Sequence, residues 1–244
     1  MFLSTQSELK TLEIDPTGPA NASVIWMHGL GADANDFYGI TPELRLPTGL
    51  DVRYIFPNAP PIPVTINGGM VMRAWYDVKG IGGRDQDEVG IRSSTHGIHQ
   101  LVVREIERGI PSNRIMIAGF SQGGAMALFA GLRYPDPLAG VLCLSGYLLL
   151  ASTLQEEAAV ANRHVPIFQA HGSVDPTVPP DLGRRSYGAL VKAGYTVDWH
   201  EYPIGHQVNL EEIREHENQR IKYWAEAEAG KAAVGKPPGE PAVR

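Results

Sequence analysis

The stretch RIMIAGFSQGG, residues 114–124, decides the fold that this sequence predicts. Residues 114–118 are mostly apolar and indicate a short buried strand, whereas residues 125–130 (AMALFA) indicate a helix. Between them lies Gly-x-Ser-x-Gly, centred on Ser121, the pattern of a nucleophile elbow. Gly119 and Gly123 are needed because side chains there would collide across so tight a turn. We therefore expect the Ser121 hydroxyl to stand clear of the sheet at a helix N-terminus, which favours negative charge.

Length and composition narrow the class of protein. The chain has 244 residues, 43% of them hydrophobic, which is enough for one sizeable core. A formal net charge of −6 argues against a nucleic-acid or anionic-membrane surface. The single cysteine, Cys143, lies in an apolar run, so we expect a buried small hydrophobe and no intrachain disulfide.

The sequence shows no targeting or membrane-spanning pattern. Its first ten residues, MFLSTQSELK, lack the basic and apolar regions of a secretory signal. The longest apolar stretch, residues 141–151, is interrupted by Ser145 and Gly146 and is too short to cross a bilayer. We expect a cytoplasmic protein without stable membrane insertion.

Strand and helix patterns alternate along the chain, which indicates an α/β fold with a mostly parallel central sheet and helices on both faces. Strands are predicted at 8–14 (an edge strand), 23–27, 52–56, 114–118, 140–145, 165–170 and 196–202, and helices at 90–108, 125–130, 181–193 and about 210–227. We interpret residues 1–230 as one catalytic domain and residues 231–244, rich in Gly, Pro and Ala, as a flexible tail.

Residues 57–83 carry many prolines and glycines and are predicted to form a long loop. Its apolar residues Ile62, Met70, Met72 and Trp75 would be costly to leave in water, so we expect it to wall a groove for substrate. Some of them could instead fix the loop to the core. Only about 19 residues separate the strand that follows the elbow helix from the next strand, which leaves no room for a lid domain.

Two polar residues downstream of Ser121 could activate its hydroxyl. A serine needs a base to take its proton, and the base needs a third group to fix its tautomer. Asp175 and then His206 each follow a predicted strand, in the order Ser, Asp, His that this type of sheet uses. His171 is a second candidate base, although it precedes the acid. Asp175 could otherwise be a turn residue, and His206 could be a solvated loop side chain.

Acyl transfer also needs donors for the oxyanion. The backbone N–H of Gln122, the residue after the nucleophile, is one candidate, and the N–H of Leu30 in the turn after an early strand is the other. We expect His28 to order that turn by a hydrogen bond.

Six segments together resemble the carboxylesterase, acyl-protein thioesterase and lysophospholipase family of small α/β-hydrolases. They are WMHGLGAD (26–33), FPNAP (56–60), VTINGGMVMRAWYD (64–77), GFSQGGAMAL (119–128), HGSVDPTVP (171–179) and EYPIGHQV (201–208). The resemblance implies an α/β-hydrolase fold, a Ser121–His206–Asp175 triad, oxyanion donors at Leu30 and Gln122, and esterase or thioesterase activity without cofactor or metal. Gln207 departs from bacterial relatives, which often have Glu there.

These observations predict a serine hydrolase that acts through an acyl-enzyme on short- to medium-chain acyl esters. The candidate substrate-binding residues are Trp75, Ile62, Met70, Met72, Leu148 and Val178. The alternatives are an acyl-protein thioesterase or a lysophospholipase and, outside the enzymes, an inactive hydrolase-like interaction protein. The expected partner is a small acyl ester or thioester, with no nucleic acid; a homodimer is possible.

Two other motifs are weaker. Gly29-x-Gly31-x-x-Ala34 loosely fits a dinucleotide fingerprint, but Asp33 and Asp36 at the helix start would repel a pyrophosphate. His200-Glu201 does not have zinc-site spacing, because the next histidine is five residues past the glutamate and Pro203 breaks any helix.

Overall fold

The computed structural model describes residues 8–44, 46, 48–82 and 85–208. Their main element is a seven-stranded sheet with strand order β1-β3-β2-β6-β7-β8-β9, and β4 and β5 form a separate hairpin. The strands are β1 (Thr11–Ile14), β2 (Ala22–Met27), β3 (Val52–Pro57), β4 (Pro61–Val64), β5 (Met70–Arg73), β6 (Ile115–Phe120), β7 (Gly140–Leu144), β8 (Ile167–Gly172) and β9 (Val197–Tyr202). The helices are α1 (Glu88–Glu107), α2 (Gln122–Gly131), α3 (Leu154–Glu157) and α4 (Pro180–Lys192).

The sheet is parallel except at one edge. β1 runs antiparallel to β3, and each remaining neighbour pair is parallel. The predicted edge strand and the mostly parallel central sheet are therefore confirmed. β2, β6 and β7 are buried along almost their whole length, as continuous apolar runs in a parallel sheet require.

The two faces of the sheet are covered differently. The buried side chains of α1, α2 and α4 join one core cluster, with Ile25, Ile117 and Val141 from the sheet. The other face packs Trp26, Tyr54 and Phe168 against residues 34–50, where the described chain has a 3₁₀ helix at Tyr38–Glu43. The predicted helix at about 210–227 and the predicted tail at 231–244 lie outside the described residues, and the single-domain division stays a prediction.

Residues 57–83 do not form a simple loop, so that prediction is wrong in part. Pro61–Val64 and Met70–Arg73 pair as an antiparallel hairpin, with a 3₁₀ turn at Thr65–Asn67 between them. The many prolines and glycines concealed this hairpin, since prolines are tolerated on strands that no third strand joins.

No helix among the described residues is long and apolar enough to cross a membrane. Between β7 and β8 the described chain has only α3 and short 3₁₀ turns, as the absence of a lid insertion predicts.

Cys143 lies in β7 with no exposed surface. Burial raises the pKa of its thiol to about 12. It packs as the small hydrophobe that the sequence predicts.

A buried carboxylate links α1 to the sheet. Glu105 is fully buried, and its Oε2 accepts hydrogen bonds from Ser23 Oγ at 2.7 Å and Arg53 Nη1 at 3.1 Å. Its Oε1 accepts one from Arg108 Nη1 at 2.8 Å. Without Glu105 the buried Ser23 hydroxyl would lose its acceptor, whereas Arg53 and Arg108 would keep Asp15 and Glu13 as partners.

Glu105→Ala should therefore lower the free energy of unfolding by about 1–3 kcal/mol. Urea denaturation measures this loss. Glu107→Ala, an exposed site two residues along the same helix, is the matched control and should stay within about 0.5 kcal/mol of wild type. Equal stabilities of the two variants would contradict the structural role of Glu105.

Candidate active site

Ser121 lies between β6 and α2 in a backbone conformation that few non-glycine residues adopt. Its φ is 55° and its ψ is −118°. The turn is held by the Ser121 N–H, which donates to Leu144 O at 2.8 Å, and by the Ser121 carbonyl, which accepts from Ala125 N–H at 3.0 Å. Such a conformation costs on the order of 1–3 kcal/mol and persists only where the surroundings impose it.

The flanking glycines are required by contact distances. A Cβ on Gly119 would lie 2.2 Å from the carbonyl carbon of Gly123, and a Cβ on Gly123 would lie 2.4 Å from Met27 O. Both contacts involve backbone, which has no flexible end that could move away. The steric reason predicted for these two glycines is confirmed.

The structure brings together the three polar residues named from the sequence. His206 Nε2 is 2.9 Å from Ser121 Oγ, and His206 Nδ1 is 2.7 Å from Asp175 Oδ2. Asp175 is buried and Ser121 is 9% exposed, whereas the His206 side chain is 16% exposed. The Phe120 ring packs against the imidazole with centroids 4.8 Å apart.

Two neighbouring loops hold Asp175 and His206. The other Asp175 oxygen, Oδ1, accepts N–H groups from Thr177 at 2.8 Å and Val178 at 2.9 Å, which fixes the carboxylate plane. The loops are joined by backbone hydrogen bonds from Ser173 N–H to Tyr202 O at 2.7 Å and from Val174 N–H to Ile204 O at 3.2 Å. Both loops follow adjacent parallel strands, so the strand order brings them to one edge of the sheet.

His171, the second candidate base, has a different position. It is fully buried, and its Nε2 donates to Val178 O at 2.9 Å. The same Nε2 is 3.6 Å from Asp175 Oδ2. Burial lowers the pKa of His171, so the ring is neutral. Its Nδ1 has no hydrogen-bond partner among the described residues. His171 therefore supports the loop that carries Asp175 and does not bond to Ser121.

Leu30 and Gln122 border the same cleft as Ser121. Within the described part of the chain, neither backbone N–H donates to another protein group. Gln122 is the first residue of α2, where N–H groups have no intrahelical acceptor. These two N–H groups are thus available to a negatively charged oxygen beside Ser121.

The Gln122 side chain has a role that the sequence did not indicate. It is buried, its Oε1 accepts the Trp75 N–H at 2.8 Å, and its Nε2 donates to Tyr76 O at 2.8 Å. Trp75 Nε1 in turn donates to His28 O at 2.9 Å. The segment after β5 therefore links the elbow to the 28–31 loop, which carries Leu30.

His28 orders the 28–31 loop, as predicted. Its Nε2 accepts the Ala59 N–H at 3.0 Å and its Nδ1 lies 2.7 Å from Gly29 O, which places the ring proton on Nδ1. Burial lowers the pKa of His28, and the charge of Arg73 contributes in the same direction. The ring is therefore neutral, since a proton on Nε2 would break the bond to Ala59.

The cleft at Ser121 has a volume of about 230 Å³ and a mainly apolar wall. The residues that form this wall are Leu30, Val78, Ile81, Phe120, Tyr147 and Val178. Tyr76 and Tyr147 also line the cleft, and burial raises the pKa of both phenols, so both are uncharged. The predicted binding residue Val178 is on this wall.

The other predicted binding residues lie elsewhere, and the prediction is corrected for them. Trp75 is 1% exposed and does not line the cleft; its indole N–H donates to His28 O. Met70 is 63% exposed on the hairpin, whereas Ile62 and Met72 pack against the core. Leu148 borders a second cavity of about 210 Å³ that shares Tyr147 with the first. Residues 76–81, which follow the hairpin, line the cleft instead.

Gln207 is exposed, and its N–H donates to Gly205 O at 3.1 Å. Within residues 8–44, 46, 48–82 and 85–208, no group of three His, Cys, Asp or Glu side chains could hold a metal ion.

Comparison with known proteins places this geometry among hydrolases. A sequence profile of the family described as phospholipase/carboxylesterase matches residues 12–224. The chain is 44% identical over 202 residues to acyl-protein thioesterase 1 of Neurospora crassa, covering 79% of this chain and 82% of the relative. It is 39% identical over 186 residues to acyl-protein thioesterase 1 of Schizosaccharomyces pombe, covering 76% and 82%.

Solved structures give the same grouping. Zea mays acyl-protein thioesterase 2 superposes with a TM-score of 0.77 at 29% identity, covering 88% of this chain and 98% of that one. Arabidopsis thaliana SOBER1 superposes with a TM-score of 0.79 at 29% identity, covering 84% and 100%.

The buried neutral histidines should make the protein less stable in mild acid. The pKa values of His28, His99 and His171 are lowered by burial. As pH falls through about 6.5, the unfolded chain binds protons at these sites that the folded chain does not, so stability is lost at up to about 1.4 kcal/mol per pH unit for each histidine.

The free energy of unfolding, from urea denaturation, should therefore decrease between pH 7 and pH 5.5. His28→Gln removes one of these sites and should make the decrease smaller. An identical pH dependence in wild type and His28→Gln would show that His28 accepts its proton in the folded state.

Proposed function

The chain belongs to the phospholipase/carboxylesterase family of α/β-hydrolases and is a serine hydrolase; from this premise we propose that it hydrolyses the thioester bonds of acylated proteins. The observation that carries the proposal is the hydrogen-bonded series Ser121 Oγ, His206 and Asp175 at an apolar cleft. The sequence pattern alone favours carboxylic esters, whereas similarity to relatives named acyl-protein thioesterase favours the thioester.

In this proposal Ser121 is the nucleophile and His206 is the general base. His206 Nε2 takes the Ser121 proton as Oγ attacks the acyl carbonyl, and Asp175 stabilises the imidazolium that forms. The Asp175–His206 hydrogen bond keeps the ring proton on Nδ1, which leaves Nε2 free to act. Because Asp175 is held by two backbone N–H groups, the base is oriented before the substrate binds.

The Leu30 and Gln122 N–H groups stabilise the oxyanion of the tetrahedral intermediate. Its collapse breaks the carbon–sulfur bond, and the thiolate takes the proton from His206 Nε2. A water molecule then gives a proton to His206 and attacks the acyl-Ser121 carbonyl, which releases the fatty acid and returns the proton to Ser121. No cofactor is needed for either half of the reaction.

The acyl chain lies against Leu30, Val78 and Val178 in this proposal. The uncharged side chains of Tyr76 and Tyr147, which line the cleft, are compatible with a hydrocarbon chain. The volume of about 230 Å³ is below the roughly 300–1,000 Å³ of typical ligand sites, which favours short or medium chains unless Tyr147 moves. This size is also the observation that favours a second candidate, hydrolysis of short- to medium-chain esters. A cytoplasmic location and a homodimer stay predictions from the sequence.

Ser121→Ala should abolish hydrolysis while the protein stays folded. Loss of the nucleophile from such a unit lowers kcat by on the order of 10⁶-fold. The assay is release of thiol from an S-acylated peptide, together with covalent labelling by a fluorophosphonate probe. Ser112→Ala, near the opposite end of β6, is the control and should be labelled like wild type. Labelling of Ser121→Ala at the wild-type rate would overturn the assignment.

The two histidines should respond differently to substitution. His206→Ala should lower kcat/KM by on the order of 10⁶-fold because the base is removed. It should also lower stability, since the buried Asp175 Oδ2 loses its donor. His171→Ala should mainly lower the unfolding midpoint, since it leaves a cavity beneath the Asp175 loop. Steady-state kinetics and thermal denaturation of both variants test this. A severe kinetic loss for His171→Ala with a mild one for His206→Ala would identify His171 as the base.

Chain-length preference should follow the size of the cleft. For p-nitrophenyl esters and matched thioesters from acetyl to palmitoyl, kcat/KM should rise by up to about fourfold per methylene, equivalent to ~0.8 kcal/mol, and stop rising at short or medium chains. Tyr147→Ala should move the optimum to longer chains by opening the second cavity, whereas Tyr147→Phe should not. A palmitoyl optimum that requires micelles would refute the bounded cleft.

A further inference from the structure

We propose that a third cavity, separate from the two already described, binds a small molecule that carries a phosphate group. Its volume is about 510 Å³, larger than the cleft at Ser121 and within the usual range of ligand sites. Its walls come from the chain before β1, residues 58–61, the end of β5 and one face of α1. It shares no lining residue with the Ser121 cleft.

The charge of this cavity is the first argument. Lys10, Arg73 and His96 line it, and within the described residues neither Lys10 nor Arg73 forms an ion pair. The one lining carboxylate, Glu8, is 70% exposed to solvent and lies 3.6 Å from Arg104, which also pairs with Glu13. Lys10 and Arg73 thus give this cavity two unpaired cations against one lining carboxylate, which favours an anionic occupant.

The donors present are the second argument. Arg73 is half-buried, and one of its guanidinium nitrogens, Nη1, donates to Ala59 O at 3.0 Å. In the part of the chain that the structure describes, its other guanidinium N–H groups have no acceptor. An arginine with one nitrogen bonded in this way has further N–H groups that can bind a phosphate. Lys10 and Gln100 line the same cavity.

The contacts of Arg73 connect this cavity to the proposed oxyanion donors. The Arg73 carbonyl accepts the Gly31 N–H at 2.9 Å, and Ala59, whose carbonyl Arg73 binds, donates its N–H to His28 Nε2. Ser94, another lining residue, donates from Oγ to Trp75 O. The 28–31 loop is therefore held partly by residues of this cavity.

The sign of the coupling follows from charge. The positive charge of Arg73 is felt at His28, where it contributes to the lowered pKa. The same charge adds to the positive potential at Leu30 N–H, which favours an oxyanion. A bound phosphate neutralises it, so occupancy should reduce kcat several-fold. The expected effect on kcat depends on the proposed hydrolase mechanism, whereas binding of the phosphate does not.

Isothermal titration calorimetry at low ionic strength tests binding without reference to activity. The titrant is glycerol 3-phosphate, and the protein is the full chain as wild type, Arg73→Gln, Lys10→Gln and Arg92→Gln. The dissociation constant should rise at least tenfold in Arg73→Gln and several-fold in Lys10→Gln. Lys10 is exposed, so that variant keeps the test valid if Arg73→Gln does not fold. Arg92, which pairs with Glu157 outside the cavity, is the control and should not change the constant.

Absence of binding to wild type, or equal binding to all four proteins, would overturn the site. Binding of malonate as tight as that of glycerol 3-phosphate would overturn the preference for phosphate.

Turnover of p-nitrophenyl butyrate with and without glycerol 3-phosphate tests the coupling. The rate should fall in wild type and change much less in Lys10→Gln at the same ligand concentration. If glycerol 3-phosphate binds in the calorimeter but does not change the rate, the coupling through the 28–31 loop is wrong. If folded wild-type protein hydrolyses no substrate at all, the proposed function is wrong, and the binding site is unaffected.

Discussion

The close approach of backbone to backbone at the elbow is the constraint on which the site depends. Gly119 and Gly123 lie so near to each other and to the end of β2 that no Cβ fits. This contact forces the chain to turn from β6 into α2 within one residue, and Ser121 is left at a positive φ. The same contact brings the end of β2 beside the start of α2, so the Leu30 and Gln122 N–H groups border one cleft. Strain at Ser121 and the placement of both donors thus have one cause.

Strand order then places the remaining groups. β6, β7, β8 and β9 are consecutive neighbours in a parallel sheet, so their carboxyl ends lie along one edge. The Asp175 and His206 loops follow β8 and β9 and are bound to each other by backbone hydrogen bonds. Residues distant in sequence therefore meet without any long-range contact specific to their side chains. The elbow supplies the third member because β6 is only two strands from β8.

Much of this could be predicted from the sequence, because the information is local. The elbow and the strands follow from short patterns, and Asp175 and His206 follow from their order and their positions after strand ends. The β4–β5 hairpin could not be predicted, because its prolines conceal the strand pattern. Trp75 was misassigned to the substrate because sequence shows that an aromatic residue must be buried and does not show against what. The Gln122 side-chain bridge to residues 75–76 depends on tertiary proximity alone.

His28 links two environments of opposite character: Leu30 of its own loop lines the cleft, and Ala59, which donates its N–H to His28 Nε2, lines the cavity that contains Arg73. On the cleft side, burial keeps Tyr76 and Tyr147 uncharged. On the other side, Arg73 and Lys10 border a cavity. A protonated His28 between them would lose the Ala59 hydrogen bond and face the positive charge of Arg73, so burial and charge both keep it neutral. Its fixed tautomer then binds Ala59 to the loop by a directional hydrogen bond, so the loop that carries Leu30 is held by the same residue whose carbonyl accepts from Arg73.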